Sequence, residues 1–179
     1  MLPLTRAGAW LVAMVGLFWI TADAVCVGSP PNALGSCVRL SGSGVEVVDP
    51  DDSRRWTWQE LRSAVLEDVP TAGTPGRVAR LLGSMVTAAA GAFIGEGPPE
   101  MRLRLETDTE TEAVTVYAAA AGGYGAKEVE LSQALLARFV AGTADPSTLA
   151  RWGEEHAVEG TPEPAVRESL LTAWIHTRA

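Results

Sequence analysis

The chain has few cysteines and histidines, the side chains that most often hold metals or covalent cross-links. Its 179 residues include two of each. Neither His156 nor His176 has a cysteine or a second histidine at the spacing of zinc ligands, so no metal site is predicted. Two cysteines are too few for a disulfide-built scaffold, although Cys26 and Cys37 could close one small loop in an oxidising compartment.

Positive charge is also scarce. The 14 basic residues are outnumbered by 22 acidic ones, which gives a net charge of −8. Such a charge repels phosphate backbones, and the basic residues form no dense patch, so nucleic acid is not expected as a partner. With 47% hydrophobic and 20% charged residues, the composition is that of an ordinary globular protein. The length suits one domain, or one domain with a helical extension.

Sequence patterns that carry catalysis are missing as well. The Ser-Gly segment at 41–44 lacks the nucleophile elbow of hydrolases. The glycine-rich segment at 122–125 lacks the last glycine of the dinucleotide-binding motif and the lysine of the phosphate-binding loop. The acidic segment at 107–112 contains no glycine of the kind that calcium loops use for their sharp turn. No nucleophile is accompanied by a base and an orienting group. We therefore expect a protein that is not an enzyme and uses no cofactor.

The apolar run at 7–27 allows three interpretations. As a signal peptide it would end at Ala24, after the small residues that cleavage requires, and the exported chain would begin near Val25. As a membrane anchor it is short, because only 16 residues separate Arg6 from Asp23 and a bilayer helix needs about 20.

As part of a folded domain, the same run predicts two strands, at 9–15 and 17–27. Gly16 separates them, and the turn cluster at 28–32 ends the second. Strands would place the protein in the cytoplasm with two reduced thiols, whereas export would favour a Cys26–Cys37 disulfide. We favour the strands.

Two hairpins are predicted further along the chain, at 45–58 and 101–118, where apolar and polar residues alternate. Trp56 and Trp58 fall on one face of a strand. Alternate tryptophans on a strand are typical of a core, and the other interpretation is an aromatic surface that binds a ligand or partner.

An apolar helix is predicted at 75–94, because Thr74 and Pro75 form a helix start and apolar residues follow at helical spacing. There is no charged residue from Leu81 to Gly95. Such a helix is either buried in the core or laid against a membrane or a partner. On the second interpretation, Met85 and Phe93 belong to the interaction surface.

The last third of the sequence predicts helices. One runs from 127 to 141 and ends at Gly142, and two more begin at Asp145-Pro146 and Thr161-Pro162. We therefore divide the chain into an α+β sheet domain at 1–142, of which 1–24 is alternatively a signal peptide, and a C-terminal helical pair at 143–179.

Residues 9–141 resemble bacterial pleckstrin-homology-like domains. The resemblance lies in Thr21-x-Asp23 within the second strand, in Trp58-Gln59-Glu60-Leu61, and in the last hairpin followed by a closing helix. It implies a strongly bent antiparallel sheet capped by the helix at 127–141, with a binding or scaffolding role. The chain departs from the family pattern by the inserted helix at 75–94 and the two additional C-terminal helices.

The sequence therefore predicts a non-enzymatic interaction or scaffolding domain in the cytoplasm, with an unknown protein partner or a membrane surface bound through the helix at 75–94. The alternative is an exported envelope protein with a cleaved signal peptide and one disulfide, in a structural or ligand-binding role.

Overall fold

The structure is a computed structural model that describes residues 12–30, 37–49, 51–73, 98–120 and 122–177. This part of the chain is α+β, as predicted, and contains a six-stranded and a three-stranded antiparallel sheet with three α-helices. The helix predicted at 75–94, with Met85 and Phe93, lies outside the described residues.

The first sheet is a meander in which each strand pairs with the next one along the chain. Its strands are β1 (Val12–Val15), β2 (Phe18–Thr21), β3 (Val25–Val27), β4 (Cys37–Leu40), β5 (Gly44–Val48) and β6 (Arg54–Thr57). Alternate side chains are buried in β1, β2, β5 and β6, as expected of a sheet with one face on the core. Every residue of β3 is buried, and so are both Cys37 and Val38 of β4.

The opening apolar run forms three strands in the structure, where two were predicted. The predicted strand at 17–27 is interrupted after Thr21, whose side-chain oxygen accepts hydrogen bonds from the backbone N–H groups of Asp23 and Ala24. A hydroxyl that satisfies nearby backbone groups stabilises a turn at the expense of a strand. The inner residues Val15, Phe18 and Ile20 are at most 1% exposed.

The second sheet contains β7 (Leu61–Glu67), β8 (Glu100–Thr107) and β9 (Thr111–Tyr117). A turn at 58–60 leads from β6 into β7. There the Glu60 carboxylate accepts hydrogen bonds from the backbone and hydroxyl of Thr57, at 2.7 and 2.8 Å. The predicted hairpin at 101–118 is formed by β8 and β9.

The helices are α1 (Ala126–Val140), α2 (Ser147–His156) and α3 (Pro164–His176), with a short 3₁₀ turn at Ala157–Glu159. α3 begins two residues later than predicted, at Pro164, where the missing N–H of proline costs no hydrogen bond. α1 packs against β7 and α3. The Gln133 side chain bonds both backbone groups of Leu66, which protects the free edge of β7.

One hydrophobic core joins both sheets and all three helices. Trp56 and Trp58 are each 8% exposed, and the Trp58 ring packs on Phe139 of α1 with ring centres 5.5 Å apart. The structure thus agrees with the core interpretation of these tryptophans and leaves little of either ring for a partner. Leu149, Leu171 and Trp174 lie in the same core, so the C-terminal helices share the packing of the sheet domain.

The tight turn between β1 and β2 rests directly on α1. Gly16 has a φ of +58°, which favours glycine, and a Cβ added there would overlap the Ser132 hydroxyl. That hydroxyl accepts a hydrogen bond from the Leu17 N–H at 3.1 Å and donates one to the Glu128 carbonyl at 2.7 Å. The missing side chain of Gly16 therefore lets the hairpin approach the helix.

Replacing Gly16 with alanine should lower the free energy of unfolding by about 2–5 kcal/mol, the sum of left-handed backbone strain and overpacking. Gly142→Ala is the matched control, because Gly142 has a φ of +65° but nothing within 4 Å of an added Cβ. It should cost only about 1–2 kcal/mol of strain. Equal losses in urea unfolding of the two variants would show that the contact with Ser132 does not matter.

Candidate functional site

One face of the six-stranded sheet carries partly exposed aromatic and charged side chains together with two buried thiols, and we call it the outer face of the six-stranded sheet. It is the face opposite the core. Its central row crosses all six strands in register: Met14, Trp19, Cys26, Arg39, Glu46 and Arg55. Cys37 and Val48, which pair with each other, lie beside this row.

The outer face has an apolar part and a charged part. Met14 and Trp19 are paired across β1 and β2, and both are partly exposed. Arg39 and Arg55 are exposed at the other end of the row, and Arg55 donates to the Glu46 carboxylate at 2.6 Å. A partly exposed tryptophan on a face that also carries ionic groups is typical of protein interfaces.

Cys26 and Cys37 are neighbours beneath this surface. Cys26 pairs with Arg39 in the register, and Cys37 lies two residues before Arg39 on the same strand, so both thiols project from the outer face. Both are free cysteines, 3% and 1% exposed. The structure places the two cysteines of the predicted disulfide as diagonal neighbours on β3 and β4.

The pKa values of the two thiols are shifted in opposite directions. The hydrogen bond from the Cys26 thiol is the main cause that lowers the pKa of Cys37, and the positive charge of Arg39 acts in the same direction, against burial and Glu46. The same hydrogen bond, together with burial, raises the pKa of Cys26. The hydrogen bond therefore makes Cys37 the more acidic of the two sulfurs.

A buried ion pair lies on the core side of the sheet, between α1 and α3. The Arg167 guanidinium donates to both oxygens of Glu128, at 2.7 and 3.0 Å, and to the Pro162 carbonyl at 2.8 Å. Their side chains are 21% and 4% exposed. This pair was not predicted from the sequence, since 39 residues separate its members. The ion pair therefore links α1 to α3.

The acidic segment at 107–112 and the glycine-rich segment at 122–125 make contacts within the fold. Asp108 and Glu112 of the acidic segment bind Arg62 and Arg54, which agrees with a solvated hairpin end. The glycine-rich segment at 122–125 lies against 70–72, where Tyr124 and Pro70 share a backbone hydrogen bond of 2.8 Å.

The two histidines lie at the ends of α2 and α3. His156 stacks on Trp152 with ring centres 5.2 Å apart, and His176 is exposed at the end of α3. Within the described ranges, no three metal-binding side chains come together.

The helices of the described ranges are all too short or too polar to cross a bilayer. Comparison with known proteins found no match among family models, curated proteins or solved structures.

Proposed function

We propose that this protein is a non-enzymatic interaction or scaffolding module that binds a protein partner through the outer face of the six-stranded sheet. The observation that carries the proposal is the partly exposed pair of Met14 and Trp19, which stands beside the charged end of the same row. Tryptophan is enriched among the residues that dominate binding energy, and methionine adapts to different partner surfaces.

The rigidity of the sheet also supports a protein partner. Sheet residues are held by their neighbours, so Met14 and Trp19 present a surface that needs little ordering on binding. The exposed Arg39 and the Arg55–Glu46 pair would form a polar rim on one side of them. Apolar anchors with ionic groups on the same face are typical of protein interfaces.

We also propose the finer fold suggested by the sequence, a bent-sheet arrangement of the pleckstrin-homology-like kind. In support of it, the last hairpin is followed by α1, whose Phe139 packs on Trp58 at the turn between the two sheets. The helix predicted at 75–94 remains a second candidate surface, for a partner or a membrane, through Met85 and Phe93.

Crosslinking tests the interface directly. A photoreactive residue in place of Met14 should give one discrete crosslinked product in cells of the native host, and one in place of Val65, which is 36% exposed on the other sheet, should give none. Adding Trp19→Ser should weaken the Met14 product at least tenfold, as expected for loss of about 2 kcal/mol of binding energy. Products of equal yield from both positions would contradict an interface on the outer face.

The same assay separates the two candidate surfaces. Met85→Asp with Phe93→Asp should leave the Met14 product unchanged if the outer face binds the partner. If the Met14 product is lost in that variant but retained in Trp19→Ser, the partner binds the segment at 75–94 instead.

A cell-envelope protein with one disulfide is the second candidate, favoured by the position of Cys26 and Cys37 on the same face of neighbouring strands. The mass of the protein recovered from its native host distinguishes the two. Export predicts a chain that begins near Val25 and lacks two thiol hydrogens, and the cytoplasmic proposal predicts residues 1–24 in place with both thiols reduced.

A further inference from the structure

We propose that Cys26 and Cys37 form a redox site in which a small peroxide oxidises Cys37 and Cys26 then closes a reversible disulfide. The site stands on the strand pairing, which brings both side chains to the same face of β3 and β4. The proposal does not depend on a protein partner, and it concerns a chemical property beyond the proposed interaction function.

Cys37 is the sulfur suited to attack. It accepts the hydrogen bond of the Cys26 thiol, and Arg39 of β4 adds a positive charge nearby. Thiolates, not thiols, react with peroxides. Among the described residues, Glu46 of β5 opposes ionisation of Cys37 through its negative charge, and the uncharged Val48 of β5 pairs with Cys37 in the register.

The reaction balances with hydrogen peroxide as the oxidant. The Cys37 thiolate attacks one peroxide oxygen, the O–O bond breaks, and hydroxide leaves, so Cys37 becomes a sulfenic acid. The Cys26 sulfur then attacks the Cys37 sulfur and displaces the hydroxyl group. The two thiol protons end in two water molecules, and the thiols have lost two electrons to the peroxide.

Burial limits which oxidants can react. The two cysteines are 3% and 1% exposed, so a small peroxide can enter more easily than a protein or a bulky disulfide. Cys26 lies beside Cys37 on the neighbouring strand, and burial keeps thiols of other molecules away from the sulfenic acid. Disulfide formation should therefore compete well with further oxidation of Cys37.

The register predicts that the bridge is easily reduced. Cys26 lies opposite Arg39, and Cys37 is its diagonal neighbour. Diagonal neighbours have Cα atoms about 7–8 Å apart, whereas an unstrained disulfide spans roughly 4.4–6.8 Å. Closing the bridge therefore requires a shift of β3 against β4, and a strained disulfide is more readily reduced.

The first test treats the folded protein with hydrogen peroxide and follows its mass. The expected product is a monomer that lacks two hydrogens and regains them with dithiothreitol in native buffer. Cys26→Ser should accumulate a dimedone-reactive sulfenic acid at Cys37, and Cys37→Ser should react at least tenfold more slowly. Equal or faster reaction of Cys26, or a bridge that forms only in denaturant, would overturn the proposal.

The second test examines the hydrogen bond itself. In Cys26→Ser the hydroxyl can still donate to Cys37, whereas in Cys26→Ala it cannot. The pH profile of Cys37 alkylation should therefore move to higher pH in the alanine variant and stay near its position in the serine variant. Circular dichroism of each variant controls for folding, and coincident profiles of the two would refute the role assigned to Cys26.

Discussion

A chain that begins at Val25 is expected to show no cooperative unfolding transition. It would lack β1 and β2, whose hairpin buries Val15, Leu17, Phe18 and Ile20 at 1% exposure or less. Burying one such side chain contributes about 1.5–3 kcal/mol, so the four contribute roughly 6–12 kcal/mol. A whole domain is stable by only about 5–15 kcal/mol. Urea denaturation followed by circular dichroism would measure the loss.

Two substitutions in the full chain test the same hairpin with smaller expected losses in the free energy of unfolding. Ile20→Ala removes a buried inner side chain and should cost about 2–5 kcal/mol. Met14→Ala changes a partly exposed side chain on the outer face and should cost less than about 1 kcal/mol. If residues 1–24 are instead removed on export, neither substitution changes the stability of the mature protein. A cooperatively folded chain from Val25 would show that β1 and β2 are dispensable.

Replacing Arg167 with methionine is expected to lower the free energy of unfolding by about 3–5 kcal/mol, because Glu128 is left as a buried charge without its partner. The Glu128 side chain is 4% exposed, and the guanidinium donates to both of its oxygens. Lys127→Met, on α1 beside Glu128, is the matched control. Its exposed pair with Glu130 contributes about 0–1 kcal/mol.

A second substitution distinguishes buried charge from lost packing. Adding Glu128→Gln to Arg167→Met should restore part of the stability, because an uncharged amide costs less to bury without its partner than a carboxylate does. No restoration, or a deficit no larger than that of Lys127→Met, would show that the pair is not important.

The local structure was largely predictable because its signals are local. Alternation of apolar and polar residues predicted the hairpins at 45–58 and 101–118, and Gly142 marks the end of the first described helix. The error in the opening run has a local cause as well. The sequence there is apolar on both sides of Thr21, and only the hydrogen bonds of its hydroxyl show that the strand ends.

The candidate site was predicted only in part. Cys26 and Cys37 were named as a pair from their proximity along the chain, but their hydrogen bond and unequal acidities depend on the register of β3 and β4. Trp19 and Met14 were not singled out, because in an apolar run nothing distinguishes the inner face from the outer one. Trp56 and Trp58, named as candidate surface residues, lie in the core.

By itself, the sequence determined the α+β class, the acidic surface, the hairpins and the helical last third, because each follows from composition or from periodicity within a short segment. The tertiary structure alone decided that the apolar run contributes three strands to the core, that Met14 and Trp19 face outward beside the two thiols, and that Arg167 reaches Glu128. These features depend on strand register and helix packing between residues far apart in sequence, and such contacts leave no periodic signal in the chain.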